Sequence, residues 1–307
     1  VKLNSQKLLA KVCKTVTFYL DRSFPFERLW ILPFLDMADK KNVPCFFFRK
    51  GACRNGDNCP FSHDPNCPPT VQEPQPRTGP PSRFIYIEPK HPSVYYSIDV
   101  ECVATDVQHN ARATAQISLV SYDEQCILNL YVKPECEVRS YLSPLTGLSK
   151  EMLDQHGMSL DQAMAILRSH LPKHAILVGQ NIRKDVEWLQ LEEGKDFESV
   201  VDLAVIGRVW NDQFSSFTYF GLDHTATCWL GQANSGAPHN AVTDAIKSMQ
   251  IFKLYLSVQN DQKRVEELQK LLLATPLAPS FAKQHPTYEG CCMGNRKTCT
   301  CGAPFFS

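Results

Sequence analysis

Apolar and polar positions along this chain change their period several times, and each change marks an element. Residues 1–40 carry Leu8, Leu9, Val12, Val16 and Tyr19 at helical spacing, followed by the aromatic-rich apolar stretch Phe24–Leu35, which predicts a helical N-terminal segment. From residue 94 the texture becomes that of a folded domain. The apolar run Val94–Val100 predicts a first strand. Thr114–Ser121 and Cys126–Val132 predict two more, joined by the turn Tyr122-Asp123-Glu124-Gln125. Helical periodicity follows over Ser159–His170, with Ser159 as N-cap. Ala175–Val178 reads as a short buried strand, Asn181–Leu191 as helix, Ser199–Leu203 as strand and Leu222–Leu230 as helix. Ala241–Leu256 is a long helix, and Asp261–Leu273 an amphipathic one. An antiparallel opening followed by alternating strands and helices predicts an α/β domain: a mixed sheet flanked by helices, over residues 94–259.

Two segments break this pattern. Residues 69–93 hold Pro69, Pro74, Pro76, Pro80, Pro81, Pro89 and Pro92. Proline fixes its own backbone and lacks an amide donor, so composition predicts an extended linker. Residues 41–68 and 260–307 are rich in cysteine. The expected order is therefore a helical N-terminal segment, a Cys-rich unit, the linker, the α/β domain, and a helix with a Cys-rich tail.

Charge and composition narrow the partners. Lys plus Arg and Asp plus Glu both number 32, so formal net charge is zero, and nucleic-acid binding must come from local patches. No apolar run approaches a membrane span. The first twenty residues lack a signal-peptide core. The chain opens on Val1, as expected of a processed start or a fragment. The odd count of 13 cysteines, without a secretory signal, predicts reduced thiols in nucleus or cytoplasm and argues against secretion.

The candidate chemistry lies in five residues. Asp99 and Glu101 stand two apart on the first strand and share a face. Asp185 falls in the first turn of a helix after a short strand. Asp244 opens the long helix, and His239 precedes it by five positions. Converging carboxylates repel one another and need a cation, and hard divalent metals prefer oxygen ligands. A neutral imidazole nearby can take a proton from water.

The three clusters, Asp-x-Glu, Gly-x-Asn-x-x-x-Asp and His-x4-Asp, in this order, resemble the exonuclease motifs of the DEDDh 3′-to-5′ exonuclease family. Flanking stretches Tyr141–Ser149, Phe220–His224 and Lys253-Leu254-Tyr255 resemble its RNA-exonuclease branch. Gln180 stands where many relatives carry His, and Cys102 where a larger Met or Phe is common. The resemblance implies an RNase H-like fold and release of 5′-nucleoside monophosphates from a 3′ end. It implies that Asp99, Glu101, Asp185 and Asp244 hold two Mg²⁺ or Mn²⁺ ions, with His239 as general base.

Cys45, Cys53, Cys59 and His63 follow a C-x7-C-x5-C-x3-H spacing. Three thiolates and an imidazole suit a closed tetrahedral Zn²⁺ site, and the metal supplies most of the folding free energy of so small a unit. The spacing resembles the CCCH zinc-finger family. Phe46, Phe47 and Phe61 offer faces for unpaired bases, and Arg49 and Lys50 offer charges for phosphates. In the tail, His285, Cys291, Cys292, Cys299 and Cys301 could supply four ligands for a second zinc, the choice among them open. The function expected is a metal-dependent 3′-to-5′ exoribonuclease acting on single-stranded RNA, aided by the finger. The alternatives are a DNA exonuclease of the same fold and an RNA-binding adaptor with an inactive nuclease fold.

Overall fold

The computed structural model describes residues 84–233 and 236–303, together with 45–49, 51, 53, 56, 59 and 61–65. The predicted N-terminal helical segment, residues 69–83 of the linker and Lys50 lie outside the described residues, as do the side chains of Phe46 and Phe47. The chain divides into two compact units, one before residue 80 and one after it.

In the first unit a single helical turn, α1 (Phe46–Arg49), starts at Cys45. The backbone amide of Cys45 donates to the carbonyl of Ser62 (2.7 Å), closing the unit on itself.

The second unit is built on a five-stranded sheet in the order β3-β2-β1-β4-β5. Its strands are β1 (Tyr95–Ala104), β2 (Arg112–Ser121), β3 (Cys126–Tyr131), β4 (Ile176–Gly179) and β5 (Ser199–Asp202). β1, β2 and β3 pair antiparallel, whereas β4 and β5 run parallel to β1. The short helices α2 (Ser143–Thr146) and α3 (Lys150–His156) and the longer α4 (Leu160–His170) cross from β3 to β4. α4 opens on the predicted Ser159, whose side chain forms a capping box with Gln162. α5 (Arg183–Trp188) links β4 to β5, and α6 (Leu203–Ile206) follows β5. A hairpin of β6 (Val209–Asn211) and β7 (Ser216–Thr218) leads to α7 (Leu222–Leu230), α8 (Ala241–Val258) and α9 (Gln262–Ala274). α10 (Phe281–Gln284) and a small hairpin, β8 (Thr287–Tyr288) with β9 (Cys291–Cys292), complete the unit.

Alternation along β1 divides its side chains between two cores. Ile98 and Val100 pack with Ile117, Leu119, Leu167 and Leu177 on the α4 side. Tyr95 faces the other way, with Phe252 and Tyr255 of α8 and Trp229 of α7. Asp99 and Glu101 share the parity of Tyr95 and so fall on the α8 side. A register shift between Glu101 and Cys102 interrupts the pairing with β2 beside these carboxylates, a common place for a bulge. Cys102 belongs to the α4-side core, and burial pushes its thiol far up.

Two boundaries differ from those expected. Residues 84–93 belong by composition to the linker, yet Phe84 and Ile87 pack on the α8-side core. Gln259 accepts from the Ile87 amide and donates to its carbonyl (both 2.9 Å), and the Tyr255 hydroxyl donates to the Ile85 carbonyl. The prolines on either side obscure this short apolar run. Likewise α9 is no appendage. Val265, Leu268 and Leu272 are buried in the same core, and the Trp229 indole donates to the Leu268 carbonyl (3.1 Å). Each large apolar side chain so buried contributes about 1.5–3 kcal/mol.

Candidate functional site

The five residues come from three places in the sheet and its helices. β1 carries Asp99 and Glu101, both half-buried, and Asp185 lies in the first turn of α5. Close approach of the β4–α5 turn to β1 sets the position of Asp185. A Cβ on Gly179 would sit 3.0 Å from the Ile98 carbonyl oxygen and 3.2 Å from Ile182. Asn181 adopts a left-handed backbone (φ 53°) at this turn, and its amide donates to the Asp202 carboxylate (3.0 Å). Gln180 donates to the Phe220 carbonyl (2.9 Å), tying the same turn to the chain ahead of α7.

Asp244 lies in the first turn of α8, whose N-cap is Asn240. The Gln116 side chain on β2 accepts from the Ala241 amide (3.3 Å) and so seats the start of α8 on the sheet. His239 is held from behind: its amide donates to the Leu145 carbonyl (2.7 Å) in α2. The stretch Tyr141–Ser149 is thus a buttress for His239. Within it, the Thr146 hydroxyl donates to the Tyr141 carbonyl (2.9 Å).

His239 Nδ1 lies 2.7 Å from Asp244 Oδ2, and Lys247 Nζ donates to Asp244 Oδ1 (2.9 Å) and to Asp223 Oδ1 (2.8 Å). Ligand atoms of Glu101, His239 and Asp244 lie within 4.8 Å of one another. A pocket of about 270 Å³ opens beside them, lined by His239, Asp223, Thr227, Asn240 and Lys247. Asp223 falls within the flanking stretch Phe220–His224, but its pairing with Lys247 escaped the sequence reading, because a salt bridge between two helices has no signature in either one.

Burial and crowding of like charge set the protonation of this cluster. Burial, and then the charge of Asp244, raises Asp99 to about 8. Burial, and then Asp99, raises Glu101 to about 8. Burial and Asp99 also hold Asp185 well above the usual carboxylate range. The hydrogen bond that His239 donates to Asp244 raises the imidazole to about 9. Burial opposes ionisation of Asp244, but His239 and Lys247 prevail and lower it. Carboxylates so strained fit a divalent cation, which would relieve both their repulsion and their lost hydration. Of the four carboxylates, Glu101 and Asp244 are the two whose oxygens fall within the 4.8 Å group, and Asp99 and Asp185 are linked to them by charge.

This strain makes stability depend on pH. Asp99 has an ordinary value of 3.8 and about 8 when folded, and Glu101 has 4.5 and about 8. Folding therefore takes up protons, and their contribution falls as pH rises through that window. His239, at 6.5 and about 9, acts in the same direction. Asp244, being lowered from 3.8, acts only at the acid end. In EDTA the melting temperature is therefore expected to fall between about pH 6 and about pH 9. Added Mn²⁺ should raise it more at the alkaline end. A melting temperature that is flat in pH and indifferent to Mn²⁺ would contradict this account.

In the first unit, single ligand atoms of Cys45, Cys53, Cys59 and His63 lie within 4.8 Å of one another. The Cys45 and Cys59 sulfurs are 3.6 Å apart, and the Phe48 amide donates to Cys45 Sγ (3.4 Å). His63 Nε2 is buried without a hydrogen-bond partner. An orphaned imidazole nitrogen beside three thiols fits Zn²⁺. The Phe48 ring stacks on His63 (centroids 4.1 Å apart), a contact that the sequence reading did not assign. Of the expected RNA-contacting residues, Phe61 and Arg49 are exposed.

The tail differs from expectation. Cys292, Cys299 and Cys301 converge, but on His109 from the β1–β2 loop. His285 instead packs its ring on Phe281 and Tyr288, and Cys291 is buried with Ala104 and Leu142. His109 lies more than 180 positions before these cysteines, too far for spacing to reveal.

Comparison with known proteins finds matches for two stretches of this chain. Residues 97–252 match the RNase_T profile, described as "Exonuclease", and residues 43–64 match that of a CCCH-type zinc finger. The human protein "RNA exonuclease 5" is 26% identical over 199 residues, covering 63% of this chain and 24% of its own length. "Small RNA degrading nuclease 2" of Arabidopsis thaliana is 24% identical, covering 52% of this chain and 34% of its own length. This chain thus spans a quarter to a third of the length of these two relatives. Among solved structures, the Neurospora crassa Pan2 catalytic unit superposes with a TM-score of 0.51 at 16% identity, over 62% of this chain and 31% of that one. The expected RNase H-like fold is therefore the fold observed. With about half its length matched to that profile, and with a sheet of the same architecture beneath the match, the chain belongs to the RNase_T exonuclease family.

Proposed function

We propose that this protein is a metal-dependent 3′-to-5′ exoribonuclease that releases 5′-nucleoside monophosphates from single-stranded RNA. One observation carries the reading: Asp99, Glu101, Asp185 and Asp244 gather from β1, α5 and α8 into one electrostatically coupled cluster beside His239. Mg²⁺ or Mn²⁺, as a pair held by these carboxylates, would supply activation of water and stabilisation of the leaving oxygen. His239 accepts the proton of the attacking water. Its high basicity belongs to the cation-free cluster, in which Asp244, Asp223 and Glu101 retain its proton. Neutralising those carboxylates returns the imidazole toward its ordinary range, where it can act as a base near neutral pH. Lys247, between Asp223 and Asp244, fixes the wall of the pocket beside it.

RNA is favoured as substrate by the names of the relatives and by the CCCH finger in the same chain. The latter presents Phe61 and Arg49 to solvent for stacking and phosphate contact. All eleven described cysteines are free, in keeping with a reducing nucleus or cytoplasm. Among the described residues no helix is long and apolar enough to cross a membrane. The test is matched single-stranded RNA and DNA, each with Mg²⁺, Mn²⁺ or EDTA, followed by chromatography of the products. Nucleoside 5′-monophosphates from RNA, dependent on metal, are expected. Faster release from DNA would replace RNA as the substrate, and binding without release would favour an adaptor.

A further inference from the structure

We infer that His109, Cys292, Cys299 and Cys301 form a second structural Zn²⁺ site, which staples the C-terminal tail to the β1–β2 loop of the nuclease unit. His109 Nδ1 lies 3.2 Å from Cys301 Sγ, 3.7 Å from Cys299 Sγ and 3.9 Å from Cys292 Sγ. The Cys299 sulfur lies 3.4 Å from that of Cys292 and 3.3 Å from that of Cys301. A tetrahedral zinc with Zn–S bonds of ~2.3 Å has sulfur–sulfur edges of ~3.8 Å and slightly shorter sulfur–nitrogen edges. The four atoms stand near those separations. The sulfurs are too far apart for disulfides, in which they approach to ~2.05 Å. Three thiolates and one imidazole, with no position left open, select zinc in a structural role. The donor set repeats that of the finger, on an unrelated backbone.

The surroundings are shaped for the same end. The Gly294 amide donates to Cys292 Sγ (3.4 Å), and Gly294 turns with φ 74° against the His109 ring. On the other side, the Cys292 amide donates to the Val107 carbonyl (2.7 Å). Arg112 donates to the carbonyls of Gln108 (3.0 Å), Ala111 (2.9 Å) and Cys292 (3.1 Å), binding loop and tail together. Its cation also offsets the net negative charge of a zinc bound by three thiolates. β8 and β9 are only two residues each, too short to hold the tail unaided. Cys291 and Tyr288, fixed by this attachment, pack on Leu142 and Leu145. Those residues belong to the buttress whose Leu145 carbonyl holds His239. Zinc at the tail thereby supports the catalytic loop from a distance.

The test is zinc counting by native mass spectrometry on the full chain, in excess Mg²⁺ to occupy the carboxylates. Cys53→Ser, which removes a finger ligand, is expected to retain one zinc. Adding Cys299→Ser or His109→Ala should remove it, whereas adding His285→Ala should not. In the His109→Ala chain, hydrogen exchange should quicken over 287–301 and 105–111 and stay unchanged in β2 and β3. A Cys53→Ser chain without zinc overturns the site, as does zinc that survives the added Cys299→Ser. Loss with His285→Ala but not His109→Ala, or a mass showing a tail disulfide, overturns it equally. Cys53 lies in the first unit, so a Cys53→Ser chain that holds no zinc overturns the site even if a tail variant fails to fold.

Discussion

Asp99→Asn is expected to lower turnover by roughly 10³-fold or more while making the cation-free protein more stable. The side chain keeps its shape and loses its charge. Burial, and then the charge of Asp244, raises Asp99 to about 8. Holding a group of ordinary value 3.8 in that environment costs folding free energy on the order of several kcal/mol near neutral pH. Asparagine removes that cost together with one of the oxygens a cation needs. Thermal melting should therefore show a higher midpoint in EDTA and a smaller rise with Mn²⁺. A variant that loses activity but melts lower in EDTA would mean that Asp99 has a packing role.

His239→Gln separates proton transfer from cation binding. The imidazole lies on Asp244 at 2.7 Å, with its other nitrogen 3.9 Å from Asp223. Glutamine can keep a hydrogen bond to Asp244 but cannot take a proton. Turnover is expected to fall about 10²–10⁴-fold, with the Mn²⁺-dependent rise in melting temperature retained. The acid limb of the pH–rate profile should disappear with it, since that limb reports the base losing its neutral form. An unchanged acid limb would assign the base to another residue.

How far the chain could be read differs by element. The hydrophobic period located β1 to β3, α4, α7 and α8, because each is long enough to show its period and bury one face. The five-residue constellation was legible for a related reason: each member stands beside a strong element, and their order carries the information. Among the short elements, β4, α5 and β5 showed as compact apolar or helical runs, but others were not legible. α2, α3 and the β6–β7 hairpin run three to seven residues, too few for a period to emerge. Residues 84–93 were hidden by prolines, although Phe84 and Ile87 pack on the core. His109 and Lys247 act through partners that only the folded chain brings near. Lys247 reaches Asp223, 24 positions earlier, and His109 reaches cysteines that lie more than 180 positions later.

The central claim is that this carboxylate cluster removes nucleotides from a 3′ end. The most direct measurement is a denaturing gel of 5′-labelled single-stranded RNA over time, beside the same RNA labelled at its 3′ end, with Mg²⁺ or Mn²⁺. The account predicts a ladder shortening step by step from the 5′-labelled strand, mononucleotide at once from the 3′-labelled strand, and neither with Asp99→Asn. Mononucleotide released first from the 5′ label, internal cuts, or an undiminished ladder from Asp99→Asn would contradict it.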